Sequence, residues 1–519
     1  MIGSRAMRRN PGGLWPTTGS MRSLFCLISI AATAACTTKP TAGVCCVTDA
    51  DCARLGVDEP RPCEVGQACK AFECVAAECA SSAECPSPDA PVCVDSLCVA
   101  TCRTDDDCAG AAGGLICADD GACVGCLGDA DCPASAPFCD AEDRRCRGCE
   151  LDAECASGVC LEMDGRCATP GELVHVQEFG SDAGDCTSVA PCRTLSYALQ
   201  KVTPSRQVIH IIGGNLTTLV TTTAIDRPVV IDGSDTAINK PPSGPLFSIG
   251  AAVGTVTLEG MTLLGSSALD DPTITVASGS LVRVGKSVLN TALIDLANGG
   301  LELRDVRLTA VQPMRGVICS NGTVSARTVE FEHTSIRATN CQLNVAQSRF
   351  EEINDGSINA SGGFAIVENN LVVQAYELAD TMYLTNMAPG STVRFNTFVN
   401  TSGVDASGTA LYCDATVDVT SNIFAYGSTH PHGGATACRA SYSLYDLLAL
   451  PEQVAGIGNL VADGATFFVS RGNRDFHLAP GCPARSAAEP GTGVTRDLEG
   501  RPRPNPISSV PDMGAFEAP

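Results

Sequence analysis

Aromatic side chains make up only 4% of the 519 residues, and the one tryptophan, Trp15, stands near the start of the chain. That scarcity limits any glycan site built on stacked rings. Cations are scarce as well: 34 Lys and Arg stand against 58 Asp and Glu, a formal charge of -24. Nucleic acid and anionic membrane surfaces are disfavoured as partners on this ground, because Lys and Arg must neutralise their phosphates. Acidic polysaccharide is disfavoured too, except at a local basic patch. No apolar run is long enough to cross a bilayer comfortably. Paired Cys-x-x-Cys spacing is mostly missing, which argues against zinc knuckles. The hydrophobic content of 44% still supplies a sizeable core, and the length suits two or three domains.

What the chain does have is repetition. From Val256 to Phe424 an eight-residue pattern recurs as VTLEGMTL, VRVGKSVL, LELRDVRL, VSARTVEF, LNVAQSRF, AIVENNLV, STVRFNTF and VDVTSNIF. Its last places are Leu263, Leu289, Leu308, Phe331, Phe350, Val372, Phe398 and Phe424, a mean spacing of about 23 residues, within the range of solenoids and propellers. Its third places are Leu258, Val284, Leu303, Ala326, Val345, Val367, Val393 and Val419. Each copy alternates with period two, breaks at a bend and resumes, with no helical period between copies. Propeller blades need hairpin turns such as Asn-Gly in every repeat, and these are mostly missing. The pattern predicts an all-β fold, a parallel β-helix whose equivalent places stack about 4.8 Å apart. Phe331 then lies on Phe350 and Phe398 on Phe424, while Asn370, Asn396 and Asn422, at the sixth place, form an internal amide ladder. This stretch resembles the right-handed, pectin-lyase-like β-helix proteins. That resemblance implies a fold and, for many members, action on glycans along an outward face.

Cysteine is distributed unevenly, with 24 of 31 residues before position 170. Such density implies an oxidising compartment. Four sets open with Cys-x5-Cys: Cys79, Cys85, Cys93, Cys98; Cys102, Cys108, Cys117, Cys123; Cys126, Cys132, Cys139, Cys146; and Cys149, Cys155, Cys160, Cys167. An irregular set from Cys45 to Cys74 precedes them. Units with so little apolar content need staples in place of a core, and three connectivities per set remain open. Asp49, Asp51, Asp105, Asp107, Asp129 and Asp131 lie before the second cysteine of their sets. They read as solvated turn residues; calcium is the alternative, although the spacing of an EF-hand is not there. No other cofactor or metal is implied.

Residues 21–36, MRSLFCLISIAATAAC, join a basic start to a short apolar run and small residues. They resemble a bacterial lipoprotein signal with Thr33-Ala34-Ala35-Cys36 as the lipobox, and an ordinary secretory signal cleaved after Ala-x-Ala is the alternative. Translation from Met1 or from Met21 is left open. The lipoprotein resemblance implies a lipid on Cys36 and a place on the bacterial envelope outside the cytoplasm, on the outer membrane or cell surface. The short cysteine repeats are similar to those of bacterial surface lipoproteins. The organisation expected is a signal over 1–36, a linker over 37–44, disulfide repeats over 45–167 and the β-helix with its caps over 172–519.

The β-helix segment opens with a helical face of Leu195, Ala198, Leu199 and Val202, suited to capping an open first rung. After Phe424 the pattern fades into a tail with Asp475, Phe476, His477 and Leu478, then Asp497, Gly500, Arg501, Pro502 and Arg503, and finally Asp512, Gly514, Ala515, Phe516 and Glu517. With PCRTLSYAL near the start, these segments resemble the choice-of-anchor Q domain, bracketing residues 173–517. Disulfides are expected for Cys186 with Cys192, for Cys319 with Cys341 on consecutive rungs, and for Cys413 with Cys438, leaving Cys482 without an obvious partner.

Spacing assembles no catalytic set. Arg304 and Arg327 on adjacent rungs, with the long-turn pair Asp270 and Asp271, form the candidate ligand face. The column Arg307, Glu330, Arg349 alternates in sign, as a cross-strand ion ladder does. The six tyrosines from Tyr376 to Tyr445 are packing residues or a shallow sugar site. His430 and His432 flank a proline, which makes shared metal coordination awkward. The expected function is a surface binding or structural module for extracellular glycan or a protein partner; the alternative is a polysaccharide lyase or glycoside hydrolase on the β-helix face.

Overall fold

A computed structural model describes residues 67–70, 73–76, 92–94, 97–99, 101–109, 116–213, 221–266, 268, 270–352, 356–374, 381–401, 410–413, 416–425, 438–447, 456–506 and 509–518. The expected signal with Cys36, the expected linker, Cys45 to Cys63, Asp49, Asp51, Cys79, Cys85, Tyr376, Tyr426, His430 and His432 lie outside them. The chain divides into two compact units, 1–112 with 119–122 and 113–118 with 123–519. In the first, two hairpins set Cys69 opposite Cys74 and Cys93 opposite Cys98.

The second unit is built on a parallel β-helix of 26 strands among the described residues. Three strands make one turn. Face A carries the first half of each eight-residue copy and face B its end, while face C comes from the segment between copies, as in Ile274–Val276, Ile294–Ala297 and Met382–Thr385. The register is the one the sequence pattern predicts. Leu258 stacks in turn on Val284, Leu303, Ala326, Val345, Val367, Val393 and Val419. Leu263 begins the second column, through Leu289, Leu308, Phe331, Phe350, Val372 and Phe398 to Phe424. All of these side chains are buried. Each fully buried Leu, Val or Phe contributes about 1.5–3 kcal/mol. Phe331 lies flat on Phe350 at 4.4 Å and Phe398 on Phe424 at 5.2 Å. Tyr445 extends the second stack at 5.1 Å, so the ladder runs on past the last copy through Leu444–Asp446 and Leu460–Ala462.

Faces A and B meet at a one-residue corner. The fifth place of every copy is left-handed: Gly260, Lys286, Asp305, Thr328, Gln347, Asn369, Phe395 and Ser421 have φ between 41° and 63°. The corner turns the next N–H away from the sheet, and a side chain one rung on accepts it. Asn370 N–H donates to Asn396 Oδ1 at 3.0 Å and Asn396 N–H to Asn422 Oδ1 at 2.8 Å. The amide nitrogens of Asn370, Asn396 and Asn422 donate to the carbonyls of Val345, Val367 and Val393 at 2.8–2.9 Å. Ser287, Ser348 and Ser443 accept in the same way with their hydroxyls.

The short helix α1, Leu195–Leu199, covers the start of the stack with Leu195, Ala198 and Leu199 buried against Val174 and Ile209. Thr194 caps it by accepting the Tyr197 N–H at 3.2 Å. Disulfides join Cys186 to Cys192, Cys319 to Cys341 and Cys413 to Cys438, with Cα atoms 4.8, 6.4 and 5.3 Å apart. Cys126 pairs with Cys139 and Cys132 with Cys146; Cys149 pairs with Cys160 and Cys155 with Cys167, giving first-to-third and second-to-fourth bridges in both sets.

The tail folds back over face B. On the later rungs the outward column there is Leu371, Thr397, Ile423 and Leu444. Phe467, Phe468, Phe476, Leu478, Met513, Ala515 and Phe516 bury that face. Cys482, buried in the same cluster, is a free thiol that burial pushes up from its ordinary value. Gly514 is left-handed at φ 86° and so close to the strands that a Cβ would meet Ile423 and Thr397 at 2.6 Å. Buried charges tie the strap down. The Asp497 carboxylate accepts N–H groups of Glu499, Arg501 and Glu517, and Asp512 accepts those of Ser486 and Ala518. Arg503 lies over the Phe395 ring, donates to the carbonyls of Asp512 and Gly514 at 2.7 and 2.9 Å, and pairs with Glu517 at 3.5 Å.

Asn396→Ala removes an acceptor from Asn370 and a donor from Val367, and is expected to cost about 3 kcal/mol in a urea titration followed by circular dichroism. A loss below 1 kcal/mol would show the amide ladder to be dispensable. Arg503→Met strips the cation from three buried carboxylates and is expected to cost about 3–5 kcal/mol. Burial, opposed by Arg503, raises Glu517 to about 7 from 4.5. The stability tied to its neutral form is therefore full below pH 4.5 and lost as pH rises through 7. Thermal midpoints at pH 5.5 and 8.5 should differ less in Glu517→Gln than in the wild type.

Candidate functional site

Outward residues at the fourth place of successive rungs form one column on face A. It begins before the eight copies, as His175, His210 and Asp232, and continues from Glu259 of the first copy through Gly285, Arg304 and Arg327. His210 Nδ1 lies 2.6 Å from Asp232 Oδ2, with Ser234 Oγ within 3.3–3.4 Å of both. The His175 ring meets His210 edge-on at 5.6 Å, and burial, with His210 and Arg206 nearby, lowers its pKa. Glu259 is 1% exposed. Its Oε2 accepts the Met163 N–H at 2.9 Å, and its Oε1 has no hydrogen-bond partner. Burial, reinforced by Asp232, Glu162 and Asp164, raises its pKa to about 8.

The head of this column is covered by the fourth cysteine set. Val159, Leu161 and Ala168 pack on Leu173 and Val208, the neighbouring outward column. Arg283 donates to Asp164 at 2.7 Å and to the Met163 carbonyl at 3.0 Å, and Lys286 pairs with Glu162 at 2.9 Å. Met163 sits where a side chain on Gly285 would stand. Beside this contact a cleft of about 280 Å³ is lined by Glu150, Glu162, Lys286, Arg304 and Asp305.

Face B carries the ion ladder ahead of the strap. Arg307, Glu330 and Arg349 are in register, and Arg307 lies 3.6 Å from Glu330 and 2.9 Å from Glu332. Arg474 of the strap reaches Glu351 at 2.8 Å and Glu352 at 2.5 Å. Exposed pairs of this kind contribute about 0–1 kcal/mol each. On face C the outward column runs Thr275, Asp295, Ile318, Arg337, Asn359, Tyr383 and Tyr412. Tyr383 and Tyr412, both half-buried, have ring centres 5.7 Å apart and planes tilted by 42°.

The four residues of the candidate ligand face do not meet at one place. Arg304 and Arg327 are adjacent and exposed on face A, with Arg304 3.9 Å from Asp305 and Arg327 donating to Gln347 at 2.9 Å. Asp270 and Asp271 lie on the turn from face B to face C, paired with Arg315 at 3.0 Å and Lys240 at 2.8 Å. Tyr445 is buried in the ring stack and Tyr442 packs under the strap. The acidic residues of the cysteine sets cap tight turns. Asp107 accepts N–H groups of Arg103 and Thr104, and Asp131 those of Leu127 and Gly128. Asp129 accepts the Cys139 N–H.

Two features escaped the sequence reading. The column that leads through His175, His210 and Asp232 to Glu259 starts ahead of the regular copies, although LVHV, VIHI, VVID and VTLE already alternate alike. The strap was signalled by the outward column of face B turning from Arg307, Glu330 and Arg349 to Leu371 and Ile423. Among the described residues no helix is long and apolar enough to cross a membrane.

No protein-family model matches the chain, and no curated protein matches it. Among solved structures, a pectate lyase, Pel9A, aligns with 67% of this chain and 96% of its own at 14% identity and a TM-score of 0.37. The Dettilon tailspike protein aligns over 56% and 68% at 11% identity and a TM-score of 0.25. A rhamnogalacturonan lyase aligns over 53% and 68% at 14% identity and a TM-score of 0.20. Likeness at this level carries no argument about activity. The density of disulfides indicates a compartment outside the cytoplasm.

Proposed function

We propose that this chain is a bacterial envelope lipoprotein of the choice-of-anchor Q type, held by a lipid on Cys36, whose β-helix acts outside the cytoplasm as a binding or structural module for extracellular glycan. The observation that carries the glycan part is the face C column. It sets Asn359, Tyr383 and Tyr412 one rung apart along a straight strip, a polar group followed by two half-exposed rings. An extended polymer laid along the strip meets a new contact at each rung, about 4.8 Å on. A protein partner on the same strip is the other occupant of this reading. The quoted tail residues Asp497, Arg503, Asp512 and Glu517 act in it as the tie of the strap.

The second reading, a lyase or hydrolase, is favoured by one feature: the face B groove of about 150 Å³ among Arg307, Glu330, Glu332, Arg349 and Glu351. Carboxylates and guanidinium groups together are what proton transfer beside a charged intermediate needs.

Cys36→Ala is expected to move the protein from the membrane fraction to the soluble envelope fraction; unchanged fractionation would refute the anchor. The purified chain is expected to be retained by a column of immobilised neutral polysaccharide, with no new reducing or unsaturated ends in the eluate. Tyr383→Ala with Tyr412→Ala should weaken retention about 5- to 30-fold, given about 1–2 kcal/mol for two aromatic contacts. Retention unmoved by that double variant would remove face C from the proposal, and new chain ends lost in Glu330→Gln would establish the second reading.

A further inference from the structure

The contact between the fourth cysteine set and face A is built around an acid that has no cation of its own. Glu259 is held between Asp232, one rung behind it, and Glu162 and Asp164, which come from the cysteine set. Among the described residues the two cations nearby are both engaged elsewhere. Lys286 is paired with Glu162, and Arg283 with Asp164 and Glu302. His210, the next group back, is bonded to Asp232. Next to Glu259 on the following rung stands Gly285, which supplies no side chain and gives its space to Met163. What Glu259 receives is one N–H, from Met163, while its second oxygen is buried without a partner. A carboxylate in that position would face three other carboxyl groups in a water-poor contact; a neutral carboxyl can keep the Met163 bond at no such cost.

We propose that the fourth cysteine set, residues 149–167, is a proton-controlled cover over the head of face A, released when the Glu259 carboxyl ionises. In the covered form the neutral acid accepts the Met163 N–H and Met163 fills the seat at Gly285. Loss of the proton places a fourth negative charge among Asp232, Glu162 and Asp164, and the cover lifts about its connection to the β-helix at residues 168–172. Both disulfides of the set remain intact, since each is internal to it. Lifting turns His210, Asp232 and Glu259 from a sealed row into an open strip continuous with Arg304 and Arg327. Glu162, also raised by burial though paired with Lys286, adds to the same response.

The sign follows from the two states. In the covered form Glu259 holds its proton up to about pH 8, whereas an uncovered carboxyl returns toward 4.5. Covering is therefore fully favoured below pH 4.5 and loses ground as pH rises through 8, about tenfold per pH unit between these values. The proposal does not rest on the glycan reading.

Hydrogen exchange of the full chain, followed by mass spectrometry from pH 6 to 9 and corrected for intrinsic rates, tests it. Amides of residues 159–167 are expected to lose protection on the order of a hundredfold between pH 6 and 8. Those of residues 323–346, in the middle of the β-helix, should stay level, which separates lifting from the pH response of the strap at Glu517. Glu259→Gln keeps an acceptor for Met163 without the charge and should hold the protection of 159–167 at its pH 6 value up to pH 9. Gly285→Val fills the Met163 seat and should leave 159–167 unprotected at every pH while 323–346 stays protected. The proposal is overturned if wild-type protection of 159–167 does not change with pH, or if Glu259→Gln follows the wild-type curve. Should Glu259→Gln not fold, the wild-type curve and Gly285→Val decide: protection of 159–167 that survives Gly285→Val overturns it equally.

Discussion

Parallel stacking places every side chain about 4.8 Å from its own counterpart one rung on, and this constraint decides which residues each position tolerates. An apolar column satisfies it by repetition, which is why Leu, Val and Phe persist along the inner lines of faces A and B. A column of one charge would repel itself along its length, and Arg307, Glu330 and Arg349 alternate in sign where they are exposed. A buried polar column is the demanding case. Asparagine solves it because one amide both accepts and donates, so Asn370, Asn396 and Asn422 pass the same set of bonds from rung to rung. Serine serves the same corner with a hydroxyl, accepting the N–H one rung back.

The stack has two ends and three faces, and the chain covers some of these and leaves others open. Helix α1 closes the start. The fourth cysteine set lies over the beginning of face A and the strap over the end of face B, each on a patch where outward side chains are apolar: Leu173 and Val208 under the first, Leu371, Ile423 and Leu444 under the second. Both covers bring carboxyl groups into dry contacts. Glu259 and Glu517 are held above their ordinary range chiefly by burial, whereas Glu154, half-buried and bonded to Arg147, is held down at about 2. Burial thus raises the carboxyl groups of the docked segments, with Arg503 only partly offsetting it at Glu517, while pairing with a cation lowers the acid outside those contacts.

How much of this was legible follows from the same physics. The inner columns repeat side-chain type as well as spacing, so the register from Leu263 to Phe424 could be read residue by residue. The left-handed corner could not, because its occupants range from Gly260 and Asn369 to Thr328 and Phe395, and the stacked neighbours, not the local residue, impose the conformation. The first rungs were missed because the face A to face B corner changes register between Asp232 and Thr236, which breaks the eight-residue pattern on the rung before the first copy, inside the histidine and acid column. The strap has no period and buries itself through single contacts, Gly514 on Ile423 and Arg503 on Phe395 among them. Its motif residues were visible in the sequence, but their role in closing a face was not. Bridges between rungs were readable where the rungs were; the crossing pattern within each cysteine set rests on its folded turns.

A polymer lying along the axis can gain from an outward column only by displacing what already holds it. Lys240 keeps 3% of its side chain exposed and holds Asp271 at 2.8 Å, so exchanging that pair for a ligand would strand a buried cation. Arg304 stands at the other extreme, half-exposed and 3.9 Å from Asp305, and Arg327 shares only a neutral partner in Gln347. These contacts exchange at little cost. Exchangeable groups therefore lie along the middle of face A, at Arg304 and Arg327. There the rung spacing would join weak contacts into one extended surface, so the affinity of the proposed binding would depend on how many rungs a partner spans more than on any single residue.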